Sequence, residues 1–181
     1  MFSFFKRKPK QIPTVVKIWM TENARNNACF DLAQNQPSTT FVAWFEETRN
    51  SFTKFANAKG ITSIDIQLAT YFHVAKEGAQ VIFLEHHPLQ AEEQQKFESL
   101  GLTEASVYTS MEEPLFGIFG GEKIVELMKK MGMREDDLIE HNLVTKSIKK
   151  AQDKIAEKAV LNSRANSQAD WLLNAGIQNN Q

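Results

Sequence analysis

Apolar residues in this chain come in short runs separated by amphipathic stretches. Residues 14–20, with Val15, Val16, Ile18 and Trp19, are β-branched and aromatic, which predicts a strand. Thr21 can cap a helix running to about residue 34, with Ala24, Ala28 and Leu32 on one face and Cys29 beside them. Gln36-Pro37-Ser38 ends it. Phe41-Val-Ala-Trp-Phe45 is a continuous apolar run, as expected of a strand covered on both faces. Residues 46–59 follow as a helix with Phe52, Phe55 and Ala56 turned inward, closed by Gly60. Weak alternation through Ile64, Ile66 and Leu68 predicts a strand within residues 61–71. Gln80-Val-Ile-Phe-Leu84 is the clearest buried strand. A polar helix is expected at 89–100, stopped by Gly101, and a last short strand at 106–109.

Strands thus alternate with helices, the pattern of an α/β layer with a mainly parallel sheet. Beyond it the period changes. Ser110 and Glu113 have capping-box spacing at the start of a helix, interrupted by Gly120-Gly121. Ile124, Val125, Leu127, Met128 and Met131 resume a helical face that Gly132 stops. The last long helix places Val144, Ile148, Ala151, Ile155 and Ala159 on one stripe, with Lys146, Lys149, Lys150, Lys154 and Lys158 largely off it. Residues 162–168 read as a bend, and Trp171-Leu-Leu173 as a docking anchor. The expected division is a flexible basic N-terminus (1–13), an α/β domain (14–133), a helical segment (134–175) and a disordered tail (176–181).

Composition narrows the function. The 181 residues carry a formal net charge of -1, so no basic field favours nucleic acid. The single cysteine excludes an intrachain disulfide. No apolar run approaches the about 20 residues that span a bilayer. The aromatic start, Met1 to Phe5, precedes Lys6, Arg7, Lys8 and Lys10, the reverse of a secretory signal; it allows at most peripheral membrane contact. His73, His86, His87 and Cys29 lack metal-ligand spacing, and no metal site is expected. Glu85, His86 and His87 stand at the carboxyl end of the clearest strand, where open α/β sheets bind ligands. They are weak candidates for a small-ligand site. Glu112 and Glu113, and Glu135 to Asp137, read as acids opening helices. Met128, Met131 and Met133 read as core filler.

One stretch resembles a known family. Thr109-Ser-Met-Glu-Glu-Pro-Leu115, Phe119-Gly120, Lys123-Ile124, Met128-Lys-Lys-Met-Gly132, Ile139-Glu-His141, Val144-Thr, Ile148 and Ala151-Gln152 are similar, in order and spacing, to the SecA preprotein translocase ATPase. The likeness is to the point where its second nucleotide-binding domain runs into the long scaffold helix. Weaker likenesses keep the order upstream: Met20-Thr-Glu22, residues 37–45, Lys59-Gly60-Ile61, and Ile82-Phe-Leu-Glu85-His86-His87 against I-G-T-E-R-H. The resemblance implies a RecA-like (P-loop NTPase-type) domain over residues 15–159 with a trailing helical segment.

The departures bear on chemistry. The family's G-R-G-T-D-I motif is replaced after Leu68-Ala-Thr70 by Tyr71-Phe-His-Val-Ala-Lys-Glu-Gly78. In its Q-x-R-G-R motif the glutamine falls on Gln95, a further weak ligand candidate, but the first two arginines fall on Phe97 and Ser99. A guanidinium stabilises the charge of a transferring phosphoryl group, and a glycine-rich loop cradles it; both are missing. The resemblance therefore implies a degenerate, non-catalytic relative without cofactor, a cytoplasmic module acting through a protein partner of the export machinery. Phe119, Lys146, Lys150 and Trp171 are the partner-binding candidates. The alternative is a small-ligand or nucleotide-binding regulator using the 85–88 strand end.

Overall fold

The apolar runs become strands of one sheet in the computed structural model, which describes residues 11–61, 63–75, 77–140, 142–159 and 164–177. The elements follow as β1 (Thr14–Trp19), α1 (Glu22–Asn35), β2 (Thr39–Ala43), α2 (Glu46–Ala58), β3 (Asp65–Leu68), β4 (Gln80–Phe83), α3 (Gln90–Ser99) and β5 (Ala105–Ser110). Four helices complete the chain: α4 (Pro114–Gly117), α5 (Gly121–Lys130), α6 (Asn142–Lys158) and α7 (Gln168–Asn174). The sheet order is β1-β5-β4-β2-β3, and every neighbouring pair is parallel. This is an α/β fold with an all-parallel sheet and flanking helices, as a RecA-like domain requires.

Residue alternation sorts the core. Trp19, Phe41, Ile82, Leu84 and Tyr108 pack with Cys29 of α1 and Phe52 of α2 on one face. Val42, Phe83, Ala105 and Val107 pack with Phe97 of α3 on the other. Successive residues of one strand serve opposite layers because side chains alternate across a pleated sheet. β2 is buried at all five positions, Thr39 and Thr40 included; the apolar run Phe41–Phe45 begins inside it and ends at the N-cap of α2. A third cluster joins Ile18 and Met20 to Leu115, Phe116, Ile148, Ile155 and Trp171. The expected stripe of α6 faces inward: Val144, Ile148, Ala151 and Ile155 are buried.

Local differences have physical reasons. The strand expected within 61–71 contracts to β3, an edge strand. Its chain turns back after Leu68, whose carbonyl accepts the N–H groups of Tyr71 and Phe72 at 3.0 Å each. Ser110 ends β5 instead of opening a helix, and only half of the expected capping box forms: Glu113 accepts the Ser110 N–H at 3.2 Å. Glu135, Asp136 and Asp137 precede no helix directly. They occupy a turn in which Asp137 accepts the Arg134 N–H at 2.8 Å. Trp171, expected to face a partner, is 1% exposed and anchors α7 to its own chain. Residues 1–10, His141, most of the tail (178–181) and residues 160–163 lie outside the described residues. Among the described residues, no helix is long and apolar enough to cross a membrane.

The α4–α5 corner is tight. A Cβ on Gly121 would stand 2.9 Å from Phe116 Cβ and 3.0 Å from its carbonyl oxygen. Gly121→Ala is expected to destabilise by about 1–3 kcal/mol through overpacking. Ile148→Ala, which empties a buried site, is expected to cost about 2–5 kcal/mol. Urea titration followed by circular dichroism measures both; an unchanged midpoint for Gly121→Ala would show that the corner relaxes freely.

Candidate functional site

The carboxyl ends of β2, β4 and β5 hold a buried polar network. Its centre is Glu85, the second residue after β4, 2% exposed. Its Oε1 accepts the backbone N–H groups of Trp44 and Phe45 at 3.0 and 3.1 Å, and its Oε2 accepts the Thr48 hydroxyl at 2.7 Å. Phe45 is the N-cap of α2 and offers no capping side chain, so Glu85 supplies the cap from a neighbouring strand. The N–H of Glu47, in the first turn of α2, goes to the Asn166 carbonyl at 3.0 Å. An N-terminal helix end of this kind suits an anion; here the chain's own groups fill it.

Burial pushes the Glu85 carboxyl up to about 8, and the nearby Glu113 adds to the rise against Thr48, the Phe45 N–H and Arg25. Burial also raises Glu113, opposed by Arg25 and His86. Glu113 accepts the Thr109 hydroxyl, the Ser110 N–H, the His86 N–H at 3.3 Å and the Gln168 amide at 3.4 Å. Arg25 of α1, 2% exposed, donates to the Leu84 carbonyl at 2.7 Å and pairs with Glu22 at 3.1 Å; it lies 3.7 Å from Glu113. This cation favours the charged form of both buried acids, Glu113 more than Glu85.

The two histidines enter different surroundings, as adjacent strand-end residues should. His86 Nδ1 lies 2.8 Å from Glu93 Oε1. Burial works against a charged His86 ring, but Glu93, Glu113 and Glu85 outweigh it and raise its pKa. His86 Nε2 and Trp44 Nε1 are buried without a protein hydrogen-bond partner. His87 accepts the Leu89 N–H on Nδ1 at 3.1 Å, and its ring lies 6.0 Å from Phe45, 5.0 Å from Trp44 and 5.4 Å from Trp171. Burial lowers it to about 4, so it stays neutral.

Two residues of the helical segment reach into this network. Gln152 of α6 donates to the His87 carbonyl at 2.9 Å and to Glu93 at 3.0 Å. Gln168 of α7 donates to the His86 carbonyl at 2.8 Å and accepts the Leu115 N–H at 2.7 Å. Two cavities flank the network. One, of about 650 Å³, is lined by Glu22, Glu47, Glu85, Glu112 and Glu113 against Arg25 and Lys54. The other, about 460 Å³, is walled by Trp44, Phe45, Tyr71, His87 and Trp171, with Arg164 at its edge.

Of the expected ligand residues, Glu85, His86 and His87 meet at one place. Gln95 is exposed on α3 and lines neither cavity. Phe119 is half-buried against Phe116 at 5.4 Å, and Lys146 and Lys150 are exposed. Arg25, Glu93 and Gln168 were not singled out from sequence, and Gln152 entered only through the family resemblance at Ala151-Gln152. The signal for Arg25 was its place on the Ala24–Cys29 face of α1; Gln168 left none. Among the described residues, no group of three His, Cys, Asp or Glu side chains is arranged to hold a metal ion.

No family model matches the chain. A stretch of 55 residues is 44% identical to the protein translocase subunit SecA of Chlorobium phaeobacteroides (strain BS1), covering 30% of this chain and 5% of that protein. The Chlorobaculum tepidum SecA is 42% identical over 55 residues, again 30% of this chain and 5% of that protein. The SecA of Psychrobacter cryohalolentis is 43% identical over 51 residues, 28% of this chain and 6% of the relative. The matched stretch thus spans 5% to 6% of the length of these relatives. A SecA-related segment is present; the similarity extends over less than a third of this chain.

The network sets a pH dependence. Glu85, with its folded pKa raised from 4.5 to about 8, contributes stability that is full below 4.5 and lost as pH rises through 8. The raised Glu113 and His86 act in the same direction. His87, lowered from 6.5 to about 4, acts oppositely: its contribution is present above 6.5 and lost as pH falls through 4. Thermal melts should therefore fall between pH 6.5, where the opposing His87 gain ends, and about 8. Glu85→Gln keeps an oxygen for the Trp44 and Phe45 N–H groups and can donate its amide to Thr48; it should melt higher than the parent at pH 9, with the gap closing only as pH falls to about 4.5. Parallel curves for the two proteins would refute this.

Proposed function

We propose that this chain is a non-catalytic, SecA-related domain that works as a protein-interaction or regulatory module linked to protein export in the cytoplasm. One observation carries the reading: the strand-end crevice of the sheet is filled by the chain's own carboxyl groups. A phosphate there would meet Glu85 and Asn166 already bonded to the head of α2. It would also enter a cavity with five acids and two cations. Arg25, the one arginine lining that cavity, is spent on Leu84, Asn26 and Glu22. Phosphoryl transfer needs a preorganised positive field, and the acids here outnumber the cations even with Glu85 and Glu113 protonated. The similarity to a translocase subunit supports the export setting.

Phosphate release from ATP with Mg²⁺ should stay at the buffer level for the purified chain. Hydrolysis abolished by Glu85→Gln or His87→Ala would overturn the reading. Capture with the intact chain should retain components of the export apparatus. The double change Lys146→Glu, Lys150→Glu should lower that recovery several-fold at unchanged melting temperature.

A second reading, a small-ligand regulator at the 85–88 strand end, draws on the aromatic cavity beside His87. Calorimetry against ATP, ADP and GTP tests its nucleotide form; no heat from any of them rejects it.

A further inference from the structure

Residues 164–177 sit across the strand-end crevice in a manner unlike the rest of the helical segment. Asn166 takes an N–H at the head of α2 through its carbonyl oxygen, at 3.0 Å. Gln168, 3% exposed, engages the His86 carbonyl, Glu113 and the Leu115 N–H with one amide. Trp171, 1% exposed, lies edge-on to His87 at 5.4 Å. Arg164, Asn166 and Trp171 line the aromatic cavity, while Gln168 lines the acidic one. The segment thus contributes side chains to the walls of both cavities.

The contacts are those of a bound peptide. Each polar group of the crevice that α7 meets is a main-chain group or a buried carboxyl, and each is met by an amide or a carbonyl. Its apolar contacts are Trp171, edge-on beside His87, and Leu172 and Ala175, all three buried in one core cluster. Leu173, on the outer side of α7, is 71% exposed and takes no part. Recognition is thus carried by a glutamine and, three positions on, a tryptophan, following the helix-capping Ser167.

We propose that residues 164–177 are an internal plug: they occupy in cis a groove whose occupant in trans is a partner helix with the same glutamine-x-x-aromatic pattern. The plug itself stands on the contacts above; its role in controlling access rests on reading the chain as a binding module. A partner competes only with the fraction of molecules whose plug is out, so loosening the plug strengthens apparent binding.

The test uses a labelled peptide of residues 164–177 as the probe and the full chain as the receptor. Gln168→Ala in the chain should bind the peptide at least tenfold more tightly than the parent chain. Peptides with Gln168→Ala or Trp171→Ala should lose binding, and a Leu173→Ala peptide should keep it. Equal, weak binding by both chains would overturn the proposal, as would equal binding of all peptides. Hydrogen exchange on the parent chain guards against misfolding of the variant. The amides of α7 should exchange through a local opening, well before those of β4 and β5; exchange of both only on global unfolding would refute the plug. A plug that opens in a chain from which no export component is captured would leave the plug standing and reject the export setting.

Discussion

Burying carboxyl groups constrains everything around them. Glu85, Glu93 and Glu113 lie beneath the strand ends with almost no access to water. An unpaired buried charge costs several kcal/mol, so such groups survive only where partners converge. Those partners arrive from most of the chain: Arg25 from α1, Thr48 from α2, His86 from the end of β4, Gln152 from α6 and Gln168 from α7. The network thus ties the two helical layers and the C-terminal helices to one end of the sheet. The hydrophobic clusters give the fold its bulk, and this end gives it a unique arrangement of parts.

The same groups decide what the crevice can accept. In an open parallel sheet the carboxyl ends of the strands are where ligands are usually held. Here the head of α2 is satisfied by a strand-end acid and by a carbonyl from the C-terminal segment. The fold is kept while its customary opening is internally closed. That is why similarity to SecA over a short stretch and an α/β architecture do not by themselves carry the activity of the larger relatives.

Much of the framework was legible in the residues. β2 and β4 announced themselves because strands buried on both faces carry continuous apolar runs, and α6 because its stripe repeats at helical spacing. β3 was overread: Ile64, Ile66 and Leu68 alternate, but nothing in that pattern marks where an edge strand turns away. The strand-end triad of Glu85, His86 and His87 was legible from position alone. Its partners were not, because Glu93 and Gln152 are separated from it in sequence and look like ordinary helix-surface residues. Trp171 misled for a related reason. A lone tryptophan near a polar terminus suggests a foreign surface, and only the fold shows that His87 is the surface it meets.

Both side chains that fasten the helical segment to the strand end, Gln152 and Gln168, are amides. Neither carries a charge at any pH, and each donates to a carbonyl as well as to a carboxyl. Screening by dissolved ions acts on exposed charges separated by water, not on short buried amide contacts. The joint between sheet and helices should therefore hold equally in dilute buffer and in concentrated salt. Proton uptake within this joint is left to Glu113 and His86 at the strand end, so the joint senses acidity from one side only.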